Sequence, residues 1–311
     1  MVQLESLGFR SGPALKVKMS FELQRAKRED MAKPAAILFF WDYDTQWGAD
    51  RSRSPGGPKS WGRLEFENSE RLLDLHAKYE IAACFAVVGA AALPGERPYH
   101  DPAQIRRIHS AGHEIGSHAF QHEFLPGLNR RALLESLRRS KDALEQCVGA
   151  PVISFVPPYN QPYDYIKGGS FSFSERRECG RERTDLSCLC DALAETGYQF
   201  CRVSYRPLSQ RLAERLVGRR LDRPTRREKI ADITCVRLNT PGGFNAPVME
   251  MLDRCAEAGG LVVVYGHPHS LLSGGTQDQT HLVPFLERVG QLRQEGRLQV
   301  RLPADIVCNG N

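Results

Sequence analysis

Short apolar runs return along the chain from Ala35 onward, and between them lie longer stretches whose apolar positions recur with helical spacing. AAILFFW (35–41), IAACFAVV (81–88), PVISFV (151–156), YQFCRV (198–203), ITCVRL (233–238) and GLVVVY (260–265) read as strands, with HEIGSH (113–118) as a shorter one. These runs are apolar on both faces, as in a parallel sheet buried on each side rather than one with a wet face. The segments EFENSERLLDLHAKY, DPAQIRRIHSAG, NRRALLESLRRSKDALEQCVG, TDLSCLCDALAETG, PLSQRLAERLVGR, NAPVMEMLDRCAEAG and DQTHLVPFLERVGQLRQEG read as helices. In the third of them Leu133, Leu134, Leu137, Leu144 and Cys147 keep a period near 3.6. Asp101 followed by Pro102 marks a helix start.

Strands alternating with helices predict an α/β fold with a helix-covered parallel sheet, and about seven repeats suit one barrel-like domain at least as well as an open sheet. Its bounds are drawn at 34–300, with residues 1–33 as a loosely ordered leader and 301–311 as a C-terminal tail. RSRSPGGPKS (51–60) reads as a flexible loop. In either architecture chemistry belongs at the C-terminal ends of the strands. A candidate residue should therefore follow a strand run directly.

Composition narrows the function. An apolar fraction of 41% supports a real core, and a net charge of +5, from 42 basic and 37 acidic residues, permits an anionic ligand without demanding one. No glycine pattern matches a phosphate-binding or dinucleotide loop, which disfavours ATP, NAD and FAD. Basic residues are not interleaved with aromatics, so nucleic acid is not expected. The first thirty residues lack a signal-peptide profile and no stretch is long and apolar enough for a span, so a cytoplasmic protein with no membrane partner is expected. The nine cysteines are expected to be reduced. Cys179, Cys188 and Cys190 cluster, but their spacing lacks the second pair of a zinc knuckle. GGSFSFSERRECGRERTD reads as a lid or binding loop, or a solvated insertion, and its arginines around 176–183 would suit a phosphate-bearing substrate.

Three stretches pass the strand-end test. FFWDYDTQW carries Asp42 and Asp44, which alternation along an extended chain sends to one side. Two like charges held close call for a cation or for one raised pKa, unless they are simply solvated caps. HAFQH places His118 and His122 four apart; if the chain turns helical after Ser117 they share a face as in HExxH helices, and otherwise they are surface histidines. Asp44 with these two would make a three-ligand set that leaves room for water, with Asp42 free as a base. VVVYGHPHS ends the last strand at His267, well placed as a general acid with His269 two residues on, unless the pair simply belongs to a polar strand-end loop; His113 is a reserve. VPPYN presents Tyr159 and Asn160 on a rigid turn fit to stabilise an oxyanion or bind substrate, as is Trp47 beside the acidic pair. His76 and His109, in helical patterns, read as surface or supporting residues.

In this order, a strand-end DYD, an HxxxH, a proline-rich VPPY and a strand ending in histidine resemble the NodB-homology polysaccharide deacetylases, carbohydrate esterase family 4, across about 35–290. The resemblance implies a distorted (β/α)7 barrel. It makes Asp42 the catalytic base and Asp44, His118 and His122 the ligands of one divalent metal. Zinc suits these ligands best, and cobalt, manganese, nickel and iron are compatible. It gives the backbone of Tyr159 the oxyanion and His267 the role of general acid. Two departures stand out. The family's base-orienting arginine falls at Val156, with Arg202 as the residue that would reach the same carboxylate instead. The family's fourth motif, an Asp and Trp pair behind the acid, has only Asp232 as a counterpart and no tryptophan.

The reaction expected is metal-dependent removal of an N-acyl group, N-acetyl foremost, from a small substrate that the basic balance permits to be anionic: an intracellular amino sugar, sugar nucleotide or glycoside intermediate. The alternatives are hydrolysis of a linear or cyclic non-sugar amide, and a non-catalytic carbohydrate-binding relative. Oligomeric state is left open.

Overall fold

The computed structural model describes residues 34–53, 56–160, 185–204 and 227–308, together with Leu216 and Thr225. The leader, Cys179, the arginine-rich loop at 176–183 and most of the segment at 207–219 lie outside the described residues.

The first strand, β1 (Ala35–Tyr43), is buried on both faces, and its alternation sets up two cores. Ala35, Ile37, Phe39, Trp41 and Tyr43 pack into the large cluster shared with the helices, whereas Leu38 and Phe40 point into a smaller inner cluster. Asp42 follows in the inner register. Parallel pairing continues through β2 (Cys84–Val87), β3 (Glu114–Ser117), β4 (Ser154–Phe155), β5 (Phe200–Val203) and β7 (Ile233–Arg237), and on the other side of β1 to β8 (Leu261–Gly266). The short β9 (Leu298–Val300) pairs with the start of β1. Each predicted strand is present, most of them shorter than drawn.

The sheet curls strongly. Phe40 on β1 and Phe200 on β5 stack with ring centroids 6.1 Å apart although β2, β3 and β4 lie between their strands. The seam opposite is bridged by side chains: the Asn239 amide donates to Leu261 O at 3.0 Å and accepts from Val263 N at 2.9 Å, and Thr240 Oγ1 donates to Val263 O at 2.8 Å. The Asn239 amide thus stands in for a peptide group of a missing strand pairing. The result is the distorted α/β barrel expected, built as a curled, mostly parallel sheet.

Two strands and two helices have no counterpart in the hydrophobic pattern. β6 (Arg227–Ile230) is a polar edge strand that pairs antiparallel with β7 through a turn with Ala231 and Asp232 left-handed, at φ 46° and 66°. β9 has three residues, too few to show a period. α1 (Thr45–Ser52) carries no apolar stripe, and with α2 (Lys59–Tyr79) it takes both ends of the stretch expected to be a flexible loop. The expected tail carries α8 (Pro303–Cys308), whose Ile306 is buried in the inner cluster, so it belongs to the domain through Cys308. The other helices are α3 (Pro102–Ser110), α4 (Arg130–Val148), α5 (Leu186–Glu195), α6 (Ala246–Ala258) and α7 (Gln279–Gln294). Asp101 caps α3 by accepting from Gln104 N at 2.8 Å. No described helix is long and apolar enough to cross a membrane.

Candidate metal and acid–base site

At the C-terminal end of β1 the alternation that buries Phe40 also turns Asp42 inward. On β5 the same period puts Phe200 and then Arg202 on the inner face. The two meet in a fork: Arg202 Nη1 donates to Asp42 Oδ1 at 2.8 Å and Nη2 to Asp42 Oδ2 at 2.7 Å, both side chains being almost fully buried. The guanidinium lies between the rings of Phe40 and Tyr265, at 5.1 and 4.7 Å, and also donates to Asn160 Oδ1 at 3.2 Å. Burial pushes the Asp42 carboxyl up, but Arg202, helped by His118 and His267, more than offsets this and leaves it below its ordinary value.

Asp44 stands one residue beyond the strand, at the N-cap of α1. His118 and His122 face it, with Nε2 atoms 3.3 and 3.5 Å from Asp44 Oδ1. HAFQH is not helical: β3 ends at Ser117, and the chain turns through left-handed Ala119 (φ 63°) and His122 (φ 57°). Backbone bonds hold the turn, Gly89 N to Ala119 O at 2.9 Å and Ala90 N to Phe120 O at 2.8 Å, and the imidazole centroids come within 5.0 Å. A loop therefore does what helical spacing was expected to do.

The donor set fits a cation. Val156 O can only accept, so His118 Nδ1, 2.6 Å away, carries the hydrogen and Nε2 is the atom turned toward Asp44. Burial lowers the pKa of this ring, but the Asp44 and Asp42 carboxylates more than offset that and raise it, so the spot favours positive charge. Burial holds His122 largely uncharged, down to about 3, and its Nε2 points the same way. Asp44 Oδ1 is buried with no hydrogen-bond donor. A carboxylate and two imidazole nitrogens within 4.8 Å of one another make a three-ligand group that a divalent ion would satisfy. Val156, where an arginine was expected, contributes a carbonyl to this group while Arg202 serves Asp42.

His267 follows β8 directly, with Nε2 3.9 Å from Asp44 Oδ2. Gly266 before it leaves room for Trp41, whose ring would lie 2.8 Å from a Cβ there. His267 makes two contacts to Gln277 Oε1: 2.7 Å from its backbone N and 3.1 Å from Nδ1. His269 is held differently. Its Nδ1 lies 3.0 Å from Oε2 of Glu65, a fully buried carboxyl on α2, and its ring stacks on Trp61 at 4.9 Å. Asn68, a turn further along α2, donates to Pro268 O at 2.8 Å.

The other expectations divide. Tyr159 (φ 59°) packs its ring on His122 at 4.7 Å, and Asn160 (φ 54°) donates to Tyr265 Oη at 2.9 Å, so both belong to the site wall. Trp47 has Tyr99 and His100 as ring neighbours, at 5.2 and 5.8 Å, and packs against Val88, Ala90 and Phe120. Asp232 is not behind His267: its side chain is 89% exposed in the β6–β7 turn, paired with Lys229 at 3.1 Å. The reserve His113 precedes β3, at the opposite end of the strand, and accepts from Ala83 N at 3.1 Å. His76 is a buried core residue rather than a surface one. Cys188 is exposed while Cys190 is buried 3.5 Å from Cys235, and the described cysteines are all free.

Glu65 and Gln277 were not anticipated. Glu65, Asn68 and Ser69 are polar residues on the buried stripe of α2, and that conflict with an apolar face was the available signal. Gln277 lies in a glycine-rich loop and offered none.

A model of the polysaccharide deacetylase family matches residues 60–168. This stretch holds His118, His122 and Tyr159, while Asp42, Asp44, Arg202 and His267 lie outside it. The uncharacterised protein YlxY of Bacillus subtilis is 27% identical over 99 residues, spanning 32% of this chain and 28% of that protein. A putative polysaccharide deacetylase from Mycobacterium smegmatis superposes with a TM-score of 0.62 at 18% identity, over 89% of this chain and 90% of that one. The Puue allantoinase gives 0.55 at 14% identity, again over 89% and 90%. At such identities the likeness is one of fold.

Proposed function

We propose that the chain is a metal-dependent hydrolase of N-acyl amides, a reading supported by the polysaccharide deacetylase family model over residues 60–168 and by the fold shared with a putative polysaccharide deacetylase. Its substrate in this reading is an N-acetylated amino sugar, sugar nucleotide or glycoside intermediate. The observation that carries it is the juxtaposition of an Arg202-clamped Asp42, the Asp44–His118–His122 group and His267 around one strand-end cleft. A carbohydrate-binding module has no use for a second carboxylate clamped beside such a group.

Asp44, His118 and His122 would hold the ion, zinc being the best match to one carboxylate and two imidazoles. Bound there, a divalent ion supplies Lewis acidity to the acyl oxygen and to a water molecule. Asp42 accepts the proton of the attacking water, held in line by the Arg202 fork. The backbone N–H of Tyr159 is the oxyanion donor. His267 protonates the departing nitrogen, without which an amine is a very poor leaving group.

The test is release of free amine from a panel of N-acetylated sugars by zinc-reconstituted protein. Asp42→Asn should be slower by about 100-fold or more, and an Asp42→Asn variant as active as its parent would overturn the assignment. The fold shared with an allantoinase favours one second reading, hydrolysis of a non-sugar amide. The same panel extended to ureides and cyclic imides separates the two.

A further inference from the structure

The superfamily pattern places a carboxylate behind the general acid, and Asp232, its counterpart by sequence, lies elsewhere. The group behind His267 is an amide. The backbone N–H of His267 can only donate, so the Gln277 atom 2.7 Å from it is the carbonyl oxygen. His267 Nδ1 lies 3.1 Å from that same oxygen. Two nitrogens facing one acceptor must both carry hydrogen, which fixes Nδ1–H in the neutral ring and leaves the lone pair on Nε2, the atom nearer Asp44.

We propose that Gln277 is a positioning residue that locks His267 as its Nδ1–H tautomer, giving Nε2 alone the proton that moves. The proposal rests on the reading of His267 as the acid of an amide hydrolase. Nε2 takes a proton from solvent to form the imidazolium and gives it to the leaving nitrogen. As the C–N bond breaks its electron pair goes to nitrogen, a new N–H bond forms, and the ring returns to its starting tautomer. The other hydrogen stays on Nδ1, donated to Gln277 Oε1, throughout. The opposite tautomer would yield an imidazolate on giving up its Nε2 hydrogen, and it reaches the imidazolium only by taking a proton at Nδ1, the atom that faces Gln277 Oε1. An amide orients the ring as a carboxylate would, without adding a second negative charge beside Asp42 and Asp44.

Two-bond ¹⁵N–¹H spectra of the full-length chain report the tautomer of His267 directly. The parent should show Nδ1–H, Gln277→Ala should move toward Nε2–H, and Gln277→Glu, which keeps an acceptor oxygen, should retain the parent pattern. With N-acetylglucosamine as substrate, Gln277→Ala should lower kcat about 10- to 100-fold at unchanged KM and zinc content, with Gln277→Glu recovering part of the loss. An unchanged ring spectrum in Gln277→Ala, or an Nε2–H parent, overturns the lock. A parent inactive on every amide tested counts against the hydrolase reading, while the ring spectrum still decides the lock.

Discussion

Arg202 grips both oxygens of Asp42 from a strand four places across the sheet and 160 residues away in sequence. The contact exists because the sheet curls: residues that alternate inward on β1 and β5 converge over the Phe40–Phe200 stack. It holds the carboxylate charged and aimed at the cleft although burial opposes the charge.

Removing one member of this pair strands the other. Arg202→Met should destabilise the protein by about 3–5 kcal/mol, the usual cost of an unpartnered buried charge. Arg202→Lys keeps the charge but loses the fork, and should retain more stability than activity. Urea unfolding of Arg202→Met, Asp42→Asn and the double variant checks this: the double variant should be more stable than the sum of the singles by roughly 1 kcal/mol or more. Strict additivity would mean the two side chains are not coupled.

The ligand group makes a separate claim. Asp44 Oδ1 is buried without a donor and two imidazole nitrogens converge on it. Added zinc should therefore raise the melting temperature, by the equivalent of about 2.7 kcal/mol at a hundredfold excess over Kd. His118→Ala and His122→Ala should each lose that shift and the stoichiometric metal. Metal analysis after dialysis reads the second point, and full stoichiometry in both variants would contradict the assignment.

The sequence disclosed this site unevenly. Asp42, Asp44 and His267 were legible because each follows an apolar strand run, and strand ends in an α/β sheet are where side chains meet. HAFQH was legible as a pair, though the expected helix is a turn with two left-handed residues, a conformation no spacing rule foretells. Arg202 was set against Asp42 as the substitute for the family arginine missing at Val156, on the strength of its strand end, and only the curl makes the distance short. Glu65 and Gln277 contact His269 and His267 from a helix and a loop, so their partners are set by tertiary packing. The same division holds for the fold: strands with two buried faces stood out, whereas polar β6, three-residue β9 and stripe-less α1 did not.

Acid stability should depend on a histidine far from the cleft. His76 accepts from Trp41 Nε1 at 2.8 Å through Nε2 and donates from Nδ1 to Ile81 O at 2.8 Å, a pattern that only the neutral ring can make. Burial, with His113 beside it, pushes its pKa down to about 3. Because the folded value is depressed, the unfolded chain binds more protons between about pH 6.5 and 3, and stability falls as the pH falls through that window. Between pH 6.5 and 4.5 this ring should cost on the order of 2 kcal/mol. His76→Gln keeps an acceptor for Trp41 and removes the titration. Its unfolding free energy should vary less over that range than the parent's, and parallel pH curves would refute the assignment.

Two glycines in helices should respond oppositely to the same change. Helix propensity favours alanine over glycine by about 1 kcal/mol at interior positions, and Gly290 in α7 has nothing within 4 Å of the site a Cβ would take. Gly290→Ala should accordingly stabilise the protein by about 0.5–1 kcal/mol. Gly48 lies one turn after Asp44 in α1, where a Cβ would sit 2.5 Å from the Asp44 Cβ and 2.9 Å from its Cγ. The backbone there is already tied by Gly48 N to Asp44 O at 3.0 Å, so the ligand side chain has to move instead. Gly48→Ala should keep the fold but bind zinc at least about 10-fold more weakly, lowering the zinc-induced rise in melting temperature. Urea unfolding of Gly290→Ala and calorimetric zinc titration of Gly48→Ala check the pair. Parent-like zinc affinity in Gly48→Ala would show that Asp44 does not hold the ion from this position, since no carboxylate that close to a new methyl group can keep its place.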